Sequence, residues 1–132
     1  MYLRFTTQFI NSYDELETGI FMALKFLRDD YSATQDEDKK KLKQLSVWFD
    51  KNLDKPTRFS NALNKSPANV SLSWFKDSAK EHIQKIHELV VILEKYDFVV
   101  ERVASKNPGY VVFEDEFQIS AIPFKADRNK VI

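Results

Sequence analysis

Side chains able to do chemistry are few in this sequence, and their spacing works against the chemistry they suggest. His82 and His87 lie five residues apart, which on an α-helix separates them by about 140°, whereas two ligands to one metal from one helix want a spacing of about four. They read instead as residues flanking an apolar stripe. Asp77, Ser78, Glu81 and His82 include the residue types of a hydrolytic triad. On one helix they diverge, while a nucleophile, its base and the orienting group must converge at hydrogen-bond distance. The Glu114-Asp115-Glu116 cluster reads as an exposed turn, and general acids at neutral pH need burial or a like-charged neighbour held close. With glycine only at Gly19 and Gly109, no glycine-rich phosphate loop forms. The absence of cysteine removes thiol nucleophiles, disulfides and cysteine metal sites. The expectation is therefore no metal and no cofactor.

Binding offers more than catalysis. Read as part of a helix in which Phe75 faces the core, Trp74 points outward beside a long Pro/Asn-containing segment, with Arg58, Lys76 and His82 as neighbours. An outward indole beside cations suits an interface. The alternative is that the preceding loop folds over the indole and buries it. The run Lys39-Lys40-Lys41 with Lys43 follows Asp36-Glu37-Asp38, acids that cancel much of its field and favour a solvated helix face over a phosphate site. Tyr2, Arg4, Thr6 and Gln8, with Gln118 and Ser120, outline a sheet face on which bases of single-stranded RNA stack in some folds, but no RNA-binding signature accompanies them. Twenty basic side chains balance twenty acidic ones, so no net field draws the chain to nucleic acid or to an anionic membrane. The longest apolar run is far below the roughly 18 to 20 residues that span a bilayer.

The elements that position these residues follow from periodicity. Leu72, Phe75, Ala79, Ile83, Ile86, Val90 and Leu93 recur at steps of three and four, predicting a helix over 72–96 around which the rest is organised. Alternation at Leu3, Phe5, Thr7 and Phe9 predicts a first strand. Ser12-Tyr13-Asp14-Glu15 has the form of a capping box for a helix over 13–28. Gly19 inside that helix implies close approach of another backbone. Thr34-Gln35-Asp36-Glu37 offers a second box for a helix running to Leu53, with Leu42, Leu45, Phe49 and Leu53 inward. An irregular stretch over 54–71 carries Pro56 and Pro67. Strands over 98–104, 110–113 and 117–124 form a meander, with a turn at Asn107-Pro108-Gly109. The order is β-α-α-α-β-β-β, an α+β domain over 1–124 with helices on one face of an antiparallel sheet of about four strands, and a polar tail over 125–132.

WFKDSAKEHI followed by PGYVVFEDEFQISAIPF resembles a family of small uncharacterised bacterial proteins of similar length and motif order. The resemblance implies a bacterial origin and a single-domain reading of most of the chain, and it carries no activity to any residue. The sequence, without cysteine or an export-like start, predicts a cytoplasmic protein acting by binding another protein or itself, with Trp74 and the segment before it as the contact. A small enzyme with a pocket near Arg58, Lys76 and His82 is the alternative, and single-stranded nucleic-acid binding the third reading. The residues name no small-molecule ligand.

Overall fold

Leu72–Lys76 is a β-strand, not the opening turns of a helix, and this one change rearranges the predicted topology. The computed structural model describes residues 1–55 and 71–124. In chain order the elements are strands β1 (Tyr2–Thr6), β2 (Gln8–Ile10) and β3 (Leu16–Thr18), then helices α1 (Ile20–Lys25), continued by a π-helical turn over Phe26–Asp30, and α2 (Asp36–Asn52). Strand β4 (Leu72–Lys76) precedes helix α3 (Lys80–Lys95), and β5 (Glu101–Ser105), β6 (Tyr110–Glu114) and β7 (Gln118–Ile122) follow. The fold is α+β, with a five-stranded antiparallel sheet in the order β5-β1-β4-β7-β6 and a separate β2–β3 hairpin.

Strand β4 lies at the sheet centre and is buried on both faces. Its residues Trp74 and Phe75 project to opposite sides, and both are buried. A strand covered on both sides loses the apolar-polar alternation that identifies strands in sequence, and the three-and-four spacing of Leu72, Phe75 and Ala79 imitates a helix. The turn at Asp77 and Ser78 separates β4 from α3. Ser78-Ala79-Lys80-Glu81 has the capping-box form that marks this boundary. With β4 at the centre, β7 pairs with it and β6 is left at the outer edge, while β5 lies beyond β1 at the other. The predicted three-strand meander is thus only a β6–β7 hairpin.

The first predicted helix is also corrected. Residues 11–15 form the loop of the β2–β3 hairpin, and the helix begins only at Ile20. Gly19 precedes that helix at φ 123 and a Cβ there would meet nothing closer than Met22 at 3.8 Å. Its backbone conformation, not close packing, demands glycine. Helix α2 agrees with expectation, burying Leu42, Leu45 and Phe49. Thr34 makes no cap, however; Gln35 precedes the helix without a side-chain cap bond.

The described residues divide into two compact units interleaved in sequence: Met1–Arg4 with 54–55, 71–80 and 103–124, and Phe5–Leu53 with Glu81–Arg102. In the first, Trp74, Ile119 and Ala121 form a buried cluster against which Tyr2, Leu72 and Val103 pack. In the second, α2 and α3 run antiparallel. Asp38 meets Lys95 and Tyr96 near one end, Lys41 meets Glu88 midway, and Trp48 and Asn52 meet His82 at the other. Ile86, Leu89, Val90 and Leu93 are buried on α3, each stabilising by about 1.5 to 3 kcal/mol on removal from water.

Candidate functional site

Trp74, which helical phase points outward unless the preceding loop covers it, is only 2% exposed. It stands opposite Ile119 in the β4–β7 register, and that strand pairing, rather than the helical phase that Phe75 suggested, decides where it points. Its Nε1 has no hydrogen-bond partner among the described residues. Lys76 in the same unit holds Glu114 at 2.6 Å. His82 belongs to the other unit, where it is buried on α3, its Nε2 2.6 Å from the Asn52 carbonyl and its ring edge-on to Trp48 at 4.9 Å. A carbonyl only accepts, so Nε2 carries a proton and donates it. Arg58 lies outside the described residues, as does the rest of 56–70 in the irregular segment before Trp74. His87 is exposed and meets Phe5 edge-on at 5.7 Å. One histidine in and one out is what a spacing of five gives on a helix.

The expected open face of Tyr2, Arg4, Thr6 and Gln8 does not form as one surface. Tyr2 packs on the Trp74 cluster and Arg4 Nη1 donates to the Ser73 carbonyl at 3.1 Å. Thr6 is buried, and Gln8 belongs to the separate hairpin. Gln118 and Ser120 are buried as well. The Glu114-Asp115-Glu116 turn does structural work: Asp115 Oδ1 accepts from the Phe117 and Gln118 backbone amides, and Oδ2 accepts from Gln118 Nε2 at 3.0 Å. Among the described residues no group of three or more His, Asp or Glu side chains is placed to hold a metal ion, and no helix is long and apolar enough to cross a membrane.

A surface the sequence reading missed is the outer face of the β2–β3 hairpin. Asn11 builds its loop. The Asn11 Oδ1 accepts from the amides of Tyr13 at 2.8 Å and Glu15 at 3.0 Å, and Nδ2 donates to Glu17 Oε1 at 2.9 Å. Asp14 takes a left-handed conformation at φ 64, one that Asp tolerates better than most residues. In the register Gln8 faces Thr18, Phe9 faces Glu17 and Ile10 faces Leu16. The inner residue Phe9 anchors the hairpin, its ring 5.2 Å from Phe26 and 5.5 Å from Phe98. The Gly19 amide adds a bond to the Thr7 carbonyl, and Thr7 Oγ1 donates to the carbonyl of Val99 at 2.7 Å. On the outer face Ile10 is 55% exposed and Leu16 64%, and Tyr13, in the loop that joins their strands, is 82% exposed.

The loop beside that face carries charge. From Phe5 to Leu24 the chain has Asp14, Glu15 and Glu17 and no lysine or arginine, with Asp14 and Glu15 exposed in the loop and Glu17 opposite Phe9 on the inner face. The hairpin is therefore an apolar cross-strand pair with an acidic loop. Two signals for it are present in the sequence: the turn-forming cluster Asn11-Ser12-Tyr13-Asp14 and short apolar segments on either side.

No family model, curated protein or solved structure matches this chain.

Proposed function

We propose that this protein acts by binding another protein, and that the outer face of the β2–β3 hairpin is the contact. The observation that carries the reading is the directly opposed, more than half-exposed pair Ile10 and Leu16, with Tyr13 beside it. An apolar cross-strand pair normally turns toward a core, since each large aliphatic side chain removed from water contributes roughly 1.5 to 3 kcal/mol. Here the buried face belongs to Phe9, and the apolar pair is left for a partner. Tyrosine is among the residues enriched where binding energy concentrates, having a large apolar body with a polar tip. The absence of cysteine supports a reducing, cytoplasmic setting, and the resemblance of the WFKDSAKEHI and PGYVVFEDEFQISAIPF segments supports a bacterial one.

The test is a photo-crosslinking amino acid in place of Tyr13, activated in living cells. A discrete covalent adduct that disappears in the Leu16→Lys background is the expected result. A probe at Tyr13 giving the same diffuse adducts as one at exposed Glu94 would overturn the proposal.

A further inference from the structure

The second unit carries a surface whose chemistry complements the hairpin. On α2 the residues Lys40, Lys43, Val47 and Lys51 recur at steps of three and four, so they form one stripe. All four are exposed, Val47 at 53%, and the core side of the helix is taken by Leu42, Leu45 and Phe49. Asp50 is the one acid among the exposed residues of 39–51. Lys41, by contrast, is turned toward α3, where its ammonium holds Glu88 at 2.6 Å. An exposed valine thus lies in a row of lysines on α2, with Asp50 beside it and the Asp29 carboxylate within electrostatic reach of Lys43, as an exposed Ile10–Leu16 pair lies beside the acids Asp14 and Glu15 on the hairpin.

We infer that the hairpin face of one copy docks on the Val47 stripe of α2 of a second copy. The inference rests on the hairpin being a docking surface, as proposed above, and adds the occupant. Apolar centre meets apolar centre, and Asp14 and Glu15 meet Lys40, Lys43 and Lys51, opposite charges that steer encounter and fix orientation. A chain with twenty charges of each sign does not repel its own copies. Because the two patches are different surfaces, the contact is heterologous: each copy offers one free hairpin and one free stripe, so growth runs head to tail. Few apolar side chains take part, which places the association among weak, concentration-dependent contacts, and its charged rim makes it sensitive to salt.

Sedimentation equilibrium of the full chain tests this. The expected result is a weight-average mass that rises with concentration at about 20 mM salt, with association weakened several-fold at about 300 mM, where screening shortens the reach of charge. Leu16→Lys and Val47→Glu should each abolish association while melting temperature stays unchanged. Mixed together, they should form a complex of two copies and nothing larger, since Leu16→Lys keeps the stripe and Val47→Glu keeps the hairpin. A wild-type chain that stays monomeric throughout overturns the inference. So does a Val47→Glu variant that associates like wild type, because the hairpin would then be pairing with something else. A monomeric wild type that still gives a Tyr13 crosslink to a different protein sinks the second-copy occupant and leaves the protein-binding reading standing. Loss of the crosslink to any protein, with head-to-tail association absent as well, sinks both.

Discussion

Ile10 and Leu16 are Cα partners across the β2–β3 hairpin, and their side chains project from the face opposite Phe9. Since Phe9 packs on the Phe26 and Phe98 rings while Ile10 and Leu16 are more than half exposed, the outer pair should be dispensable for folding. Leu16→Lys should change stability by no more than about 0.5 kcal/mol, the range for surface substitutions away from special features. Phe9→Ala, at a half-buried ring, should cost more than that but less than the roughly 3 to 5 kcal/mol of a fully buried phenylalanine. Urea titration of both variants checks the contrast, and equal losses would mean that the outer pair is structural.

Trp74→Ala should remove about 3 to 5 kcal/mol, the cost of deleting a large buried aromatic. The indole sits among Ile119, Ala121, Tyr2, Leu72 and Val103, within the sheet rather than beside it. A thermal melt indistinguishable from wild type would contradict that placement.

Ile86 is fully buried on α3. Ile86→Ala should cost about 2 to 5 kcal/mol, from lost transfer energy plus the cavity left behind. Urea midpoints read this directly, and a change under about 1 kcal/mol would mean that the site collapses around the smaller side chain.

Gly109 sits at φ 148, and a Cβ added there would lie 2.0 Å from the Ile122 carbonyl oxygen and 2.6 Å from its carbon. Both obstacles are backbone, so they cannot rotate away. Gly109→Ala should therefore destabilise the β6–β7 hairpin by more than the roughly 1 to 3 kcal/mol that a disfavoured backbone region costs alone. Faster amide hydrogen exchange in β6 and β7 is the signature, and unchanged protection there would refute it.

Acid should loosen the α2–α3 pair. The Asp38 carboxylate accepts from Lys95 Nζ at 2.8 Å and from the Tyr96 hydroxyl at 2.5 Å, and these bonds hold its pKa below the usual aspartate value. The Lys41 ammonium does the same for Glu88. For a lowered carboxylate pKa, the stabilisation is fully present above the unfolded value, about 3.9 for aspartate. It is lost as pH falls through the folded one. Asp38→Asn should flatten the stability profile below about pH 4, as measured by urea midpoints across pH. A steeper acid limb in the variant would reverse the sign.

Legibility of the fold tracked how each element is buried. Helix α2 shows one wet and one dry face, and its stripe Leu42, Leu45, Phe49 was readable as written. Trp48-Phe49 and Trp74-Phe75 repeat one dipeptide in opposite conformations, helix in α2 and strand in β4. Good helix formers surround the first, in Lys41-Leu42-Lys43-Gln44-Leu45, while Ser71-Leu72-Ser73 precedes the second. Strand β7 was readable as a segment, but its neighbours were not: four consecutive residues, Gln118 to Ala121, are buried, so no alternation says which strand it pairs with. The hairpin loop reads as a helix start because Ser12 and Glu15 match a capping box, whereas the side chain that organises the turn is that of Asn11, one residue earlier. Of the binding residues expected from sequence, Trp74 went to the core because register, not helical phase, sets its direction.

The two tryptophans are distributed one to each unit, Trp74 in the sheet and Trp48 on α2 beside His82. The chain is consequently its own two-channel fluorometer. Trp48→Phe leaves a single emitter buried among Ile119, Ala121, Leu72, Val103 and Tyr2, and Trp74→Phe leaves one in contact with an imidazole. Recorded side by side during denaturation, the two emission curves reveal whether the units melt as one cooperative body or in succession.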